Sequence, residues 1–280
     1  MQLNTLNIGL DGGSMLQSAN RCPYQSMSYL LTTPEQKVVV IDGGDTHDPE
    51  RDYLLDIIKQ RGGTVDLWLI THAHRDHFGA LSKILQDYPG EIEIKDLRFT
   101  FPDIEWIYGI GRQEGDLAKD FLQAVKAQNI NCKELNFKDS IDVGSVNFEI
   151  LNDPHDYKDY HNLNATTAVI LAHYPSRDIL FLGDLDKEAE PHMLKICDKN
   201  KLRCDVVQMA HHGQNGVSRE FYELVKPKLC LYTAPDWLYD CDNGGGKGSG
   251  PWATLETRRW CKELGSVADC PTAYGDYLFY

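Results

Sequence analysis

THAHRDHFGAL, residues 71–81, decides how this chain is read. It sets three histidines and an aspartate between His72 and His77, in a chain with 10 histidines among 280 residues. Before it stands VDLWLI (65–70), a short apolar run that suits a buried strand. After it comes DHFGALSKILQDY (76–88), where Phe78, Leu81, Ile84 and Leu85 recur on one helical face. In an extended stretch, residues two apart point the same way, so His72 and His74 can grip one cation. Asp76 and His77, in the first turn of the helix, project to another side, toward a second cation. Asp76 also gains from the positive end of the helix. Imidazole and carboxylate together suit Zn²⁺, Mn²⁺ or Fe. Gly79 lets the helix pack close to its neighbours.

Outward from this stretch, strand-like and helix-like segments alternate. KVVVI (37–41), VNFEIL (146–151), TAVILA (167–172), DILFL (178–182), DVVQMA (205–210) and KLCLY (228–232) are short and apolar. PERDYLLDIIKQR (49–61) and EGDLAKDFLQAVKAQ (114–128) carry apolar residues at helical spacing. Several strands stop in residues able to bind a metal or move a proton: Asp42-Gly43-Gly44, the histidine cluster, Gly183-Asp184, His211-His212-Gly213, and Asn152-Asp153-Pro154-His155. In an α/β sheet, ligands sit in the crevice beyond strand ends, so these loops can converge on one site. DNGGGKGSG (242–250) reads as an irregular loop. Its Lys247 lacks the phosphate-loop arrangement, because Cys241 stands where a glycine is needed.

Composition narrows the function. A hydrophobic fraction of 42% supports a sizeable core. The net charge of −14 argues against duplex nucleic acid, whose binding needs a basic surface, but permits a small or short phosphorylated substrate. No apolar run is long enough to span a membrane. The start, MQLNTLNIGLDGG, lacks the layout of a signal peptide, so a cytoplasmic protein is expected. The 8 cysteines include no CxxC pair and are expected to be reduced core thiols. Oligomeric state is not readable.

In these motifs the chain resembles the metallo-β-lactamase superfamily. The HxHxDHxG pattern is present as His72, His74, Asp76, His77 and Gly79. Asp42 in IDGG resembles the family's first motif, Asp184 in FLGDLD its metal-bridging aspartate, and AHHG (210–213) its last histidine motif. The likeness points to the branch represented by the soluble C-terminal domain of the competence protein ComEC. That branch shares HHG, a GD at a strand end, and an Asn-x-x-Ser-like element, here Asn164 with Thr167. The resemblance spans roughly residues 25–235 by motif order.

The resemblance implies an αββα sandwich, two mixed sheets flanked by helices, here as a single domain over 1–280. It implies two divalent ions, Zn²⁺ or Mn²⁺ with Fe as a further choice. His72 and His74 would hold the first, Asp76, His77 and His211 the second, with Asp184 between them. Asp42 would orient the ligand loop. A water activated between the ions would attack phosphorus or an acyl carbon. Asp76 would hold and deprotonate that water, and His212 would protonate the leaving group or hold an oxyanion. The family's third histidine for the first ion has no clean counterpart. Asp153, His155, His161 and Asn164 lie in the right segment, and Asn164 is preferred, with His161 next. A first site short of a ligand predicts two unequal metal affinities. The resulting expectation is a metal-dependent hydrolase, preferably of a phosphodiester. An acyl hydrolase such as a lactonase, and a non-catalytic metal-binding or sensor protein on the same fold, are the alternatives.

Overall fold

A computed structural model describes residues 3–18 and 23–280. Its centre is two mixed β-sheets packed face to face. The first runs Leu3–Leu6, Asp276–Phe279, Ser14–Ser18, Ser28–Thr32, Val38–Ile41, Leu67–Leu69, Leu97–Arg98, Cys132–Lys133. The second runs Ser140–Val143, Val146–Ile150, Ile170–Tyr174, Arg177–Phe181, Val206–Gln208, Leu229–Tyr232, Ala268–Pro271. The second sheet has antiparallel strands on one side and parallel strands on the other, and the first is the same except that its edge strand Leu3–Leu6 lies parallel to Asp276–Phe279.

Strand alternation divides the apolar residues between layers. Val39 and Ile41 face inward, where they share the inter-sheet core with Leu69, Phe148, Ile170 and Phe181. Val38 and Val40 face outward, with Trp68 and Ile70, onto a helical layer. That layer contains α1 (Asp48–Gln60), α2 (Arg75–Asp87), α3 (Ile104–Ile110) and α4 (Arg112–Ala127). The second sheet turns Leu171, Leu180, Val207 and Cys230 outward to Met193, Phe221, Val225 and Cys261. These come from α5 (Glu190–Ile196), α6 (Arg219–Val225) and α8 (Thr254–Glu263), with the short α7 (Asp236–Tyr239) beside them. Burial on both faces is why the central strands read as unbroken apolar runs rather than alternating ones. The expected αββα sandwich is the fold found.

Some local readings change. The segment before α4 forms a helix of its own, α3, and the two meet at an extended Gly111. The strand expected from Thr167 begins at Ile170 instead. Residues Asn164–Thr166 make a single 3₁₀ turn, and the Thr167 carbonyl accepts from Asn152 Nδ2 at 2.6 Å. Asn152 Oδ1 also accepts from Val169 N at 2.8 Å, so this residue pins two strand ends together and is not turned to chemistry. Both sheets are completed by terminal strands that carry little apolar signal, notably Leu3–Leu6 and Ala268–Pro271. The described cysteines, all but Cys22, are free thiols, most of them buried.

Candidate metal centre

Four strands deliver their C-terminal ends to one place. Val38–Ile41 ends at Asp42, Leu67–Leu69 runs into Thr71–His74, Arg177–Phe181 ends at Gly183-Asp184, and Val206–Gln208 ends at His211-His212. The sheets are tied together at this edge, where Ala168 N donates to Thr71 O at 2.8 Å. Gly183 sits at φ 51° in the junction. A Cβ there would lie 2.6 Å from Thr167 Cγ2 and 3.1 Å from Thr71 Cβ, so a larger residue would push the sheets apart.

Asp42 is fully buried and organises the histidine loop. Its carboxylate accepts from Thr71 N at 2.8 Å and from Thr71 Oγ1 at 3.0 Å. It also accepts from His77 Nδ1 at 2.8 Å, which fixes the proton on that nitrogen and leaves Nε2 as a lone-pair donor. His77 Nε2 then lies 3.2 Å from Asp184 Oδ1, and both atoms are buried without a hydrogen bond. His212 is held in the same way: Nδ1 donates to Thr233 O at 2.7 Å, and Nε2 lies 3.0 Å from Asp76 Oδ2. On the other flank, His72 Nε2 and His74 Nδ1 face each other at 3.0 Å, and His72 Nε2 is 4.0 Å from Asp184 Oδ2.

Donor atoms of Asp76, His77, Asp184 and His212 lie within 4.8 Å of one another, as do those of His72, His74 and Asp184. Asp184 belongs to both groups. This donor set fits a pair of divalent cations: buried imidazole nitrogens and carboxylate oxygens converge, and two of them, His77 Nε2 and Asp184 Oδ1, have no hydrogen-bond partner. The charges agree. Burial alone would raise Asp76 and Asp184, but the histidines facing them, His77 foremost, hold both carboxyls below the usual range. Burial likewise opposes charge on His77 and His212; the carboxylates, led by Asp184, outweigh it and raise both. His72, His74 and His211 are lowered by burial and favour the neutral, ligating form. Asp42 is raised by burial despite its bond to His77.

The neighbouring histidines are placed in the opposite way from the expectation. His212, not His211, joins the group of Asp76 and His77. The reason is the backbone. His211 (φ 51°, ψ 54°) and His212 (φ 56°, ψ 14°) are both left-handed, so the rule for alternating side chains at a strand end does not apply. His211 is 20% exposed and lies on the other flank, with Nε2 3.7 Å from Asp184 Oδ2. Of the four loop candidates, Asn164 reaches this flank: its Nδ2 is 3.3 Å from His211 Nε2. His161 is exposed and pairs with Glu188 at 2.6 Å. His155 turns to Asn136 at 3.2 Å, and Asp153 accepts from His155 N at 3.0 Å.

Thr71 and Thr233 carry no motif signal of their own in the sequence. Thr71 directly precedes the motif, and its hydroxyl touches Asp42 and His72. Thr233 contributes a main-chain carbonyl, which any residue type would offer. Arg75, half-exposed, pairs with the buried Asp45 at 2.9 Å.

Residues 23–232 match the family model described as the metallo-beta-lactamase superfamily. The chain belongs to the metallo-β-lactamase superfamily. This superfamily is generally hydrolytic, and its fold binds divalent metal ions. Over 95 residues the chain is 30% identical to a hydroxyacylglutathione hydrolase of Photobacterium profundum, an alignment covering 33% of each protein. It is similar in fold to the metallo-β-lactamase fold protein YhfI of Bacillus subtilis, with a TM-score of 0.51, 11% identity, and 92% of this chain and 95% of that one covered. It is also similar to CmlA, a diiron β-hydroxylase of Streptomyces venezuelae, with a TM-score of 0.51 and 13% identity. That match covers 92% of this chain and 52% of CmlA, so the chain spans about half of CmlA and a third of the matched hydrolase. Among the described residues of this superfamily member, no helix is long and apolar enough to cross a membrane.

Proposed function

We propose that the protein is a dinuclear metal-dependent hydrolase that cleaves a phosphodiester or another phosphoester. The observation that carries the two-ion reading is Asp184. One of its oxygens faces His77 and His212, the other His72. We assign His72, His74 and Asp184 to the first ion, and Asp76, His77, His212 and Asp184 to the second. The ions are Zn²⁺ or Mn²⁺, with iron as a third choice given the diiron neighbour. When bound, they supply Lewis acidity and make a water acidic near neutral pH. The protein's own part is positional. Asp42 and Thr233 hold the tautomers of His77 and His212, and Asp76, an ionised carboxylate of the second group, would take up a proton from the attacking water. In the reaction a water oxygen bonds to phosphorus, and the ester P–O bond breaks with its electron pair leaving on the alkoxide oxygen, which takes up the proton abstracted from the water.

The phosphoester preference rests on the ComEC-like set of motifs, namely HHG, Gly183-Asp184, and Asn164 with Thr167. The net charge of −14 favours a small or short substrate over duplex nucleic acid. We read residues 1–280 as one hydrolase unit, supported by the strand Asp276–Phe279 lying inside the first sheet. The partial match to a hydroxyacylglutathione hydrolase favours a second reading, acyl hydrolysis of a thioester or lactone. Metal content by mass spectrometry, followed by turnover of bis(p-nitrophenyl) phosphate, a hydroxyacylglutathione and a γ-lactone, separates the two. Metal-dependent cleavage of the phosphodiester is expected. Cleavage of the acyl substrates alone would replace the first reading with the second, and no turnover of any substrate by metal-loaded protein would remove both.

A further inference from the structure

We infer that His211, backed by Asn164, completes the first metal site in place of the histidine missing from the 152–166 loop, so that HHG feeds both ions, one imidazole to each. This rests on the two-ion reading above and adds a ligand to it.

Asp184 sorts the histidines. Its Oδ1 lies 3.2 Å from His77 Nε2 and 3.7 Å from His212 Nε2. Its Oδ2 lies 4.0 Å from His72 Nε2 and 3.7 Å from His211 Nε2. The adjacent pair at 211–212 therefore straddles the carboxylate. Two consecutive non-glycine residues with positive φ make this possible. The turn is anchored on both sides: His211 N donates to Gly183 O at 2.9 Å, and Gln214 N donates to His211 O at 2.9 Å. Such strain persists where the surroundings over-determine it, and functional sites are where it collects.

Asn164 comes from a separate element, the 3₁₀ turn Asn164–Thr166. Its amide covers the edge of the His211 ring, with Nδ2 at 3.3 Å from Nε2 and 3.5 Å from Nδ1. Its Oδ1 is buried with no hydrogen-bond partner. His211 Nε2 thus faces the same Asp184 oxygen as His72, beside the buried Asn164 amide, although His211 stands outside the donors of His72, His74 and Asp184 that lie within 4.8 Å of one another. With His211 drawn in, three imidazoles and a carboxylate would hold the first ion, a donor number that suits zinc. His155 and His161 are turned to Asn136 and Glu188, so neither supplies this ligand.

The test titrates Zn²⁺ into chelator-stripped full-length protein by calorimetry, with bound zinc counted by mass spectrometry. Wild type is expected to bind two ions. His211→Asn, an exchange that a left-handed backbone tolerates, should weaken the same ion as His72→Ala, by about tenfold or more. It should leave the other ion in place, which also reports an intact fold. His212→Asn should weaken the opposite ion. Asn164→Ala should weaken the His211 ion from a different element. With Co²⁺ in place of Zn²⁺, the visible absorption of one ion alone should change in His211→Asn. Two unaltered ions in both His211→Asn and Asn164→Ala would overturn the assignment while the two-ion reading stands. Loss of the His212 ion in His211→Asn would overturn it equally. A wild type that binds one ion would overturn the two-ion reading and this assignment with it.

Discussion

Asp184 and Asp42 are two carboxylates, both almost wholly buried, with different tasks. Asp184 faces nitrogen donors on both sides. Asp184→Asn keeps its size but removes the charge shared between two cations, so at least one ion should loosen and turnover should fall by more than about 100-fold. Full activity with both ions retained would refute the shared role. Asp42 touches no other carboxylate of the cluster; it holds Thr71 and the Nδ1 proton of His77. Asp42→Asn can turn its NH₂ to His77 and strand the proton on Nε2, the nitrogen needed by the metal. Metal affinity should fall about 10–100-fold while the fold remains, measured by chelator competition and circular dichroism. The histidine cluster was legible in the sequence because its four donors lie within one turn of a strand–helix junction, and local geometry fixes their directions. The sharing of HHG was not legible. It depends on two left-handed residues whose φ values are imposed by Gly183, Gln214 and the packing of Gly213 against Tyr232.

At the scale of elements, α2 must lie close to the loop after Val38–Ile41 for Asp76 and His77 to reach the centre. Gly79 makes that approach possible. A Cβ at this position would fall 2.6 Å from Thr46 N and 2.9 Å from Asp45 C, both backbone atoms that cannot swing aside. Gly79→Ala would gain about 1 kcal/mol of helix propensity, but overpacking against rigid backbone costs roughly 1–3 kcal/mol. The clash should win. A lower Tm by a few degrees is expected, together with weaker metal binding, because α2 can relieve the clash only by carrying Asp76 and His77 outward. A raised Tm with unchanged metal affinity would show that α2 does not need this proximity. The amphipathic pattern of α2 announced the helix and its buried face. The break between α3 and α4 was less legible, since Gly111 is a weak signal beside two helix-forming segments.

Across the whole molecule, the centre binds strands from both sheets to one another, so its ions should stabilise the sandwich. Removing them with a chelator should lower Tm, and restoring metal at about 100 times its Kd should return roughly 2.7 kcal/mol per ion. Metal loading is also linked to protons. In the metal-free protein the carboxylates hold His77 and His212 toward the protonated form, so those protons must leave as ions bind. Affinity should therefore fall as pH is lowered, and calorimetry in two buffers of different ionisation enthalpy should detect proton release; equal heats would argue against these two residues as ligands. The sequence by itself determined the strands that end in donors and the cluster from His72 to His77, and it pointed to the sandwich class only through the resemblance these motifs carry. Burial on both faces writes an apolar run into each central strand, and metal chemistry restricts the residue types at their ends. Only the tertiary structure decided that Asp276–Phe279 joins the first sheet beside Leu3–Leu6, that Asn164 and not His161 or His155 turns to the site, and that His212 rather than His211 stands with Asp76. Each of these depends on hydrogen bonds or packing between residues distant in sequence, or on a left-handed backbone that local pattern does not encode.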